Sequence, residues 1–167
     1  MTEQDYQIYT TVWSEWAKGT NYSKVATLSF NNQQKMLISQ IFPICNMTHH
    51  TVSTWNLDYD YHDHYDLVLA CNVFHYAKHP YLWFTNVINS CDVFWIQDLV
   101  NRQRGSNDGE QFGDDNDCMR YSYENYKSNA SVSFDLSSAV NVLDFKYYDS
   151  PNENGDANHF IAKVIKK

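Results

Sequence analysis

The chain has 167 residues, a length that suits one domain, and such a domain buries roughly 70% of its unfolded surface. Acidic residues outnumber basic ones 20 to 12, a formal charge of −8, which excludes a broad phosphate-binding surface and argues against nucleic acid as a partner. Aromatic residues make up 16% of the chain, so an aromatic-rich core is expected.

The four cysteines, Cys45, Cys71, Cys91 and Cys118, form no Cys-x-x-Cys pair and read as reduced thiols of a cytoplasmic protein. The opening MTEQDYQIYTTVW lacks the basic region and apolar run of a signal peptide. No segment reaches the ~20 apolar residues that a membrane-spanning helix needs.

Residues 2–18 have the pattern of an amphipathic helix. Thr2 and Asp5 can form a capping box, and Ile8, Tyr9, Val12, Trp13 and Trp16 make one apolar stripe that Gly19 closes. The stripe suits packing on a sheet; two Trp on one stripe would also suit an interface with another subunit, in a homo- or hetero-oligomer. Lys24–Phe30 reads as a strand and Asn32–Phe42 as a helix capped by Asn31 or Asn32 and bounded by Pro43. Thr51–Trp55 reads as a second strand. Asn56–His64 is polar and acidic, a loop.

The central stretch, residues 65–104, holds two short apolar runs, Leu67–Cys71 and Val93–Ile96, of the kind found in strands buried on both faces. Between them Pro80–Asn89 starts with a proline suited to the first helical turn. Strand, helix and strand in this length make a right-handed βαβ crossover. Gly105–Asp117 is a long acidic loop with three of the five glycines, of the length that functional lids have. Cys118–Lys127 suits a short helix, Ser131–Asp135 a weak strand or turn, and Ser137–Ala139 one more helical turn. Asn141–Tyr148 and His159–Ile165 read as strands joined by the hairpin-type loop Ser150–Asn158, hence antiparallel.

Ligands of open α/β sheets bind outside the carboxyl ends of the strands. Asn72 and His75 follow the first central strand there. Gln97, Asp98, Asn101, Arg102 and Arg104 follow the second. Tyr65-Asp-Leu-Val-Leu-Ala-Cys-Asn-Val-Phe-His-Tyr, followed by His79-Pro80, resembles the fourth-strand region of class I S-adenosylmethionine-dependent methyltransferases. Val93–Asp98 resembles their fifth strand, and Asn141–Tyr148 with His159–Lys166 resembles the antiparallel pair that closes their sheet.

The resemblance spans residues 24–165. It implies an α/β, three-layer Rossmann-like fold in one domain (residues 1–167), with about six mostly parallel strands and a C-terminal antiparallel pair. It implies S-adenosylmethionine as cofactor, with Phe30, Asn31, Asn32, Asp58 and Asn72 as its contacts. His75 is the candidate general base and Asn72 a ligand-orienting group. Asp98, Arg102 and Arg104 are candidates for substrate recognition through carboxylate or phosphate pairing.

The chain departs from the family at the Gly-rich turn after the first strand, since no glycine lies between Gly19 and Gly105. Deleting the family's central strand would leave unpaired edges inside the sheet, so Val25–Phe30 is expected in the central slot. Two functions are compatible with this. One is a methyltransferase for a small molecule or protein, with a degraded cofactor loop. The other is a non-catalytic methyltransferase-fold scaffold or partner subunit. The Asn-rich composition hints at an AT-rich genome, such as a viral one, which would place the protein in host cytoplasm or virion. A metal site at His62, Asp63, His64, His75 and His79 finds no Cys or Glu with recognised spacing.

Overall fold

The computed structural model describes residues 2–50, 63–71, 80–101, 140–149 and 157–167. The readings at 51–62, 72–79, 102–139 and 150–156 lie outside the described residues. Those include the Thr51–Trp55 strand, the acidic loops, and the elements read between Cys118 and Ala139.

Helix α1 spans Glu3–Ala17. Its capping box forms as its sequence suggests. The Thr2 hydroxyl accepts from Asp5 N at 3.1 Å, and the Asp5 carboxylate accepts from Thr2 N at 2.7 Å. The helix ends at Gly19, which holds the left-handed φ of 71° that only glycine adopts freely. Strand β1 is Lys24–Leu28, helix α2 is Asn32–Ile41 and strand β2 is Asn46–His50. Strand β3 is Tyr65–Cys71, helix α3 is Pro80–Asn89, and strands β4, β5 and β6 are Cys91–Asn101, Val140–Asp149 and Ala157–Lys166.

The sheet order is β2-β1-β3-β4-β6-β5. β1 pairs in parallel with β2 on one side and β3 on the other. It therefore fills the central slot, as strand-edge physics requires. β3 and β4 are parallel, and β6 runs antiparallel to both β4 and β5. The fold is a three-layer α/β arrangement with an antiparallel C-terminal pair.

The sequence predicts no strand at Asn46–His50, where β2 lies; the expected Thr51–Trp55 strand is outside the described residues. The physical reason is the place of β2 at the edge of the described sheet. Its burial is slight along the whole run Asn-Met-Thr-His-His, so it carries no apolar alternation to read.

Each face of the sheet buries its own cluster. Ala26, Leu28, Val68, Ala70, Phe94, Ile96 and Phe160 meet Trp83, Phe84, Val87 and Ile88 of α3. Val25, Leu67, Leu69, Trp95 and Ile161 meet Tyr9, Trp13 and Trp16 of α1 and Leu37 and Ile38 of α2. Trp13 and Trp16 are thus buried in the chain's own core. Trp95 contacts Trp16 at 5.4 Å, Phe42 at 5.8 Å and Tyr22 at 6.3 Å between ring centroids. The Trp16 indole N–H donates to Asp144 at 2.7 Å, fixing the end of α1 to β5.

The amino edge of the sheet is held by Asp66. Its Oδ2 accepts from Ser23 N at 2.6 Å, Lys24 N at 2.9 Å and the Ser23 hydroxyl at 2.8 Å. The backbone N–H of Lys24, together with the bonds from Ser23, holds the Asp66 carboxyl below its ordinary value. A lowered folded value means stability that is present above the unfolded pKa and is lost as pH falls through the folded one. Asp66→Asn is therefore expected to lower Tm at neutral pH. The gap from the parent should close as the pH drops below the ordinary carboxylate range, when the two are compared by thermal melts across pH. A gap that persists undiminished in acid would contradict this role.

Candidate functional site

The turn from β1 into α2 is the first part of the site. Ser29 has φ 61°, a left-handed conformation in a residue that carries a Cβ. Its N–H donates to His50 O at 3.0 Å, so pairing to β2 holds the turn in place. Here the family has glycine, and the chain keeps a left-handed residue without it.

Phe30 turns inward and is 6% exposed. Its ring stacks on Trp13 at 5.3 Å and 9°, and Trp13 stacks on Tyr9 at 4.9 Å and 11°. Asn31 caps α2. Its side chain accepts from Gln34 N at 2.8 Å, while Gln34 Oε1 accepts from Asn31 N at 2.9 Å. Asn31, Asn32 and Gln33 face solvent.

β2 ends in two histidines. His49 Nδ1 lies 2.6 Å from the Thr27 hydroxyl, and His50 Nε2 lies 3.4 Å from Tyr65 Oη. Burial lowers the pKa of both, with Lys35 adding to the effect at His49 and Asp63 opposing it at His50. Both are therefore neutral near pH 7.

The second part of the site lies across β3, β4, β5 and β6, at the same carboxyl edge. Register sets Cys71 opposite Gln97, and His159 opposite Leu99 and Tyr148. Gln97 is 1% exposed and His159 8%. Gln97 Nε2 lies 2.7 Å from His159 Nδ1, and the Tyr148 ring stacks on the imidazole at 5.1 Å and 14°. Asp5 of α1, 4% exposed, belongs to the same group and acts on both His159 and Tyr148.

Burial lowers the pKa of His159, against the opposing pull of Asp5 and Asp98. Burial raises those of Tyr9 and Tyr148, so both stay neutral. The Tyr148 hydroxyl comes close to Tyr9 and Gln97 but meets neither in hydrogen-bonding geometry. It and Gln97 Oε1 are buried with no hydrogen-bond partner among the described residues.

Of the residues singled out from sequence, Phe30, Asn31 and Asn32 come together at the β1 turn. Asp98 is fully buried. It lies two residues beyond Ile96 and so shares the α3 face of the sheet, opposite Gln97. Asp58, Asn72, His75, Arg102 and Arg104 lie outside the described residues, as do His62 and His79. Asp63 lies 4.0 Å from Lys24, and His64 pairs with Asp92 at 2.8 Å, both at the start of the central strands and away from this edge.

The group around His159 was not found from sequence. Its signals are Gln97, at the polar end of the second central strand, and a histidine near the start of the last strand.

No known protein-family profile matches the chain, and no protein of curated function matches it by sequence. Solved structures do match. The N-methyltransferase NodS from Bradyrhizobium japonicum WM9 aligns over 99% of both chains at a TM-score of 0.64 and 8% identity. The plantazolicin methyltransferase BpumL, in complex with SAH, covers 96% of this chain and 85% of its own at 0.53 and 11% identity. The StiE O-MT domain covers 94% and 73% at 0.54 and 11% identity. The protein therefore has a class I S-adenosylmethionine-dependent methyltransferase-like fold.

The β1 turn presents the solvent-facing residues Asn31–Gln33 beyond the carboxyl end of the central strand. Its one large side chain, Phe30, is withdrawn under α1, and the Asn31 side chain folds back onto its own helix. The backbone N–H groups of Ser29 and Asn31 are engaged, by His50 O and Gln34 Oε1. The turn carries strain at Ser29, where a left-handed non-glycine residue costs roughly 1–2 kcal/mol. Ser29→Gly is expected to raise stability by about 1 kcal/mol in urea titration, and Ser29→Val to lower it by at least as much. No gain with glycine would mean that the turn is not left-handed.

Proposed function

We propose that the protein is a small S-adenosylmethionine-dependent methyltransferase acting on a small molecule or a protein. The observation that carries this is the β1–Ser29–α2 turn, which keeps a left-handed bend, an inward Phe30 and solvent-facing Asn31–Gln33 in the central slot of a methyltransferase-like sheet. The cofactor supplies an electrophilic methyl group. The turn backbone, Asn31 and Asn32 would hold its methionine end, with Asp58 and Asn72 as further contacts. His75 and Asn72 would act on the acceptor, and Arg102 and Arg104 would recognise it; Asp98, fully buried, is left to a structural role. The acidic character of the chain argues for acceptors other than nucleic acid.

A second reading is a non-catalytic scaffold of the same fold, within a homo- or hetero-oligomer. It is favoured by the capping box, which already engages the Asn31 and Gln34 N–H groups that a ligand would otherwise use.

Titration calorimetry separates the two readings. The enzyme is expected to bind S-adenosylmethionine and S-adenosylhomocysteine at micromolar strength, about 8 kcal/mol. Asp58→Ala should weaken both. No heat up to millimolar ligand would overturn the enzyme reading and leave the scaffold.

A further inference from the structure

His159, Gln97 and Tyr148 come from three different strands, and none is used by the proposal above. They share one space at the carboxyl edge of the sheet, beneath the first turns of α1. Three of their polar atoms are open there. Gln97 Oε1 and Tyr148 Oη are buried and unpaired among the described residues, and His159 Nε2 bonds to no described residue. His159 keeps 8% of its surface accessible. A merely structural histidine with this degree of burial would be expected to have both nitrogens satisfied. Here one nitrogen is anchored to an amide, one ring face is covered by an aromatic ring, and the far nitrogen is open. That arrangement orients an imidazole toward something outside the protein.

We propose that His159, in place of His75, is the proton acceptor for the methyl acceptor, with Gln97 and Tyr148 as its positioning residues. This rests on the methyltransferase reading. The acceptor is then a compound whose nucleophilic oxygen or nitrogen carries a proton, an alcohol or an amine. Its heteroatom forms the new bond to the methyl carbon, the carbon–sulfur bond breaks with its electron pair remaining on sulfur, and the acceptor's proton passes to His159 Nε2. For Nε2 to receive it, Nδ1 must carry the hydrogen and donate it to Gln97 Oε1. In the structure it is the amide nitrogen, Gln97 Nε2, that lies 2.7 Å from Nδ1; a half-turn of the amide, which keeps its shape, puts Oε1 there to accept the hydrogen. The same half-turn satisfies the open Gln97 oxygen.

The polar neighbours agree with this role. Asp5 and Tyr9 on α1, Cys71 on β3, Asp98 on β4, Tyr148 on β5 and the N-terminal amino group are the titratable groups acting on His159 or on its stacking partner. The tyrosines and Cys71 stay neutral. Burial favours the neutral imidazole over the two carboxylates that oppose it, so His159 is available as a base near pH 7.

Nuclear magnetic resonance of the isotope-labelled full chain tests this without a known acceptor. The His159 signals are assigned by His159→Gln or, if that variant does not fold, by sequential assignment. The ring nitrogen shifts should show the hydrogen on Nδ1; a hydrogen on Nε2 overturns the proposal. His159 is then titrated with each ligand bound at saturation. S-adenosylmethionine carries a positive sulfonium where S-adenosylhomocysteine is neutral. A base within reach of the methyl group should therefore titrate lower with the former, by about half a pH unit or more. Equal midpoints with both ligands bound would overturn the role of His159 and leave the enzyme reading standing. Failure of either ligand to bind would remove both.

Discussion

The two-sided pairing of β1 is the constraint on which the rest of the structure depends. Five residues, Lys24–Leu28, carry a parallel ladder to β2 on one side and to β3 on the other. Without them the backbone groups of β2 and β3 would face each other unpaired inside the protein, at a cost of about 1–3 kcal/mol for each buried group. The same pairing sets the path of the chain beyond the strand. The Ser29 N–H bonds to the last residue of β2, and that bond holds the left-handed turn from which α2 departs.

From that turn, a line of rings organises the α1 face. Phe30, Trp13 and Tyr9 stack in sequence, so the position of α1 is set by a residue of the turn that follows the central strand. Trp95 gathers Trp16, Tyr22 and Phe42 in the same layer, and Trp16 reaches Asp144 at the far edge. The large rings fill the volume between helix and sheet and carry α1 across to β5 and β6. Its Asp5 is thereby brought into the polar group around His159.

Much of this was legible in the residues. Thr2 and Asp5 marked the start of α1, Pro80 the start of α3, and the runs Leu67–Cys71 and Val93–Ile96 the buried strands, because each follows from local chemistry. β2, Asn46–His50, was not read, because a strand with so little burial has no apolar rhythm. The absent glycines suggested a lost cofactor turn. A left-handed conformation, however, can be enforced by pairing to a neighbouring strand, and Ser29 is held in that way. His159 and Tyr148 could not be paired by inspection, since only the antiparallel register of β5 and β6 brings them together, and only the spatial neighbourhood of β4 adds Gln97. Of the residues expected to touch the cofactor, those on β1 and α2 are placed together, and Asp58 and Asn72 lie outside the described residues.

Native-state hydrogen exchange on the amides of Val25–Leu28 tests the central claim most directly. A strand paired on both sides and buried on both faces opens only when the whole domain unfolds. The amides of β1 should therefore exchange as slowly as those of β3 and β4, and far more slowly than the outward-facing amides of β2. Exchange of β1 at the rate of those edge amides would show that this strand does not hold the centre of the sheet, and the account built on it would fail.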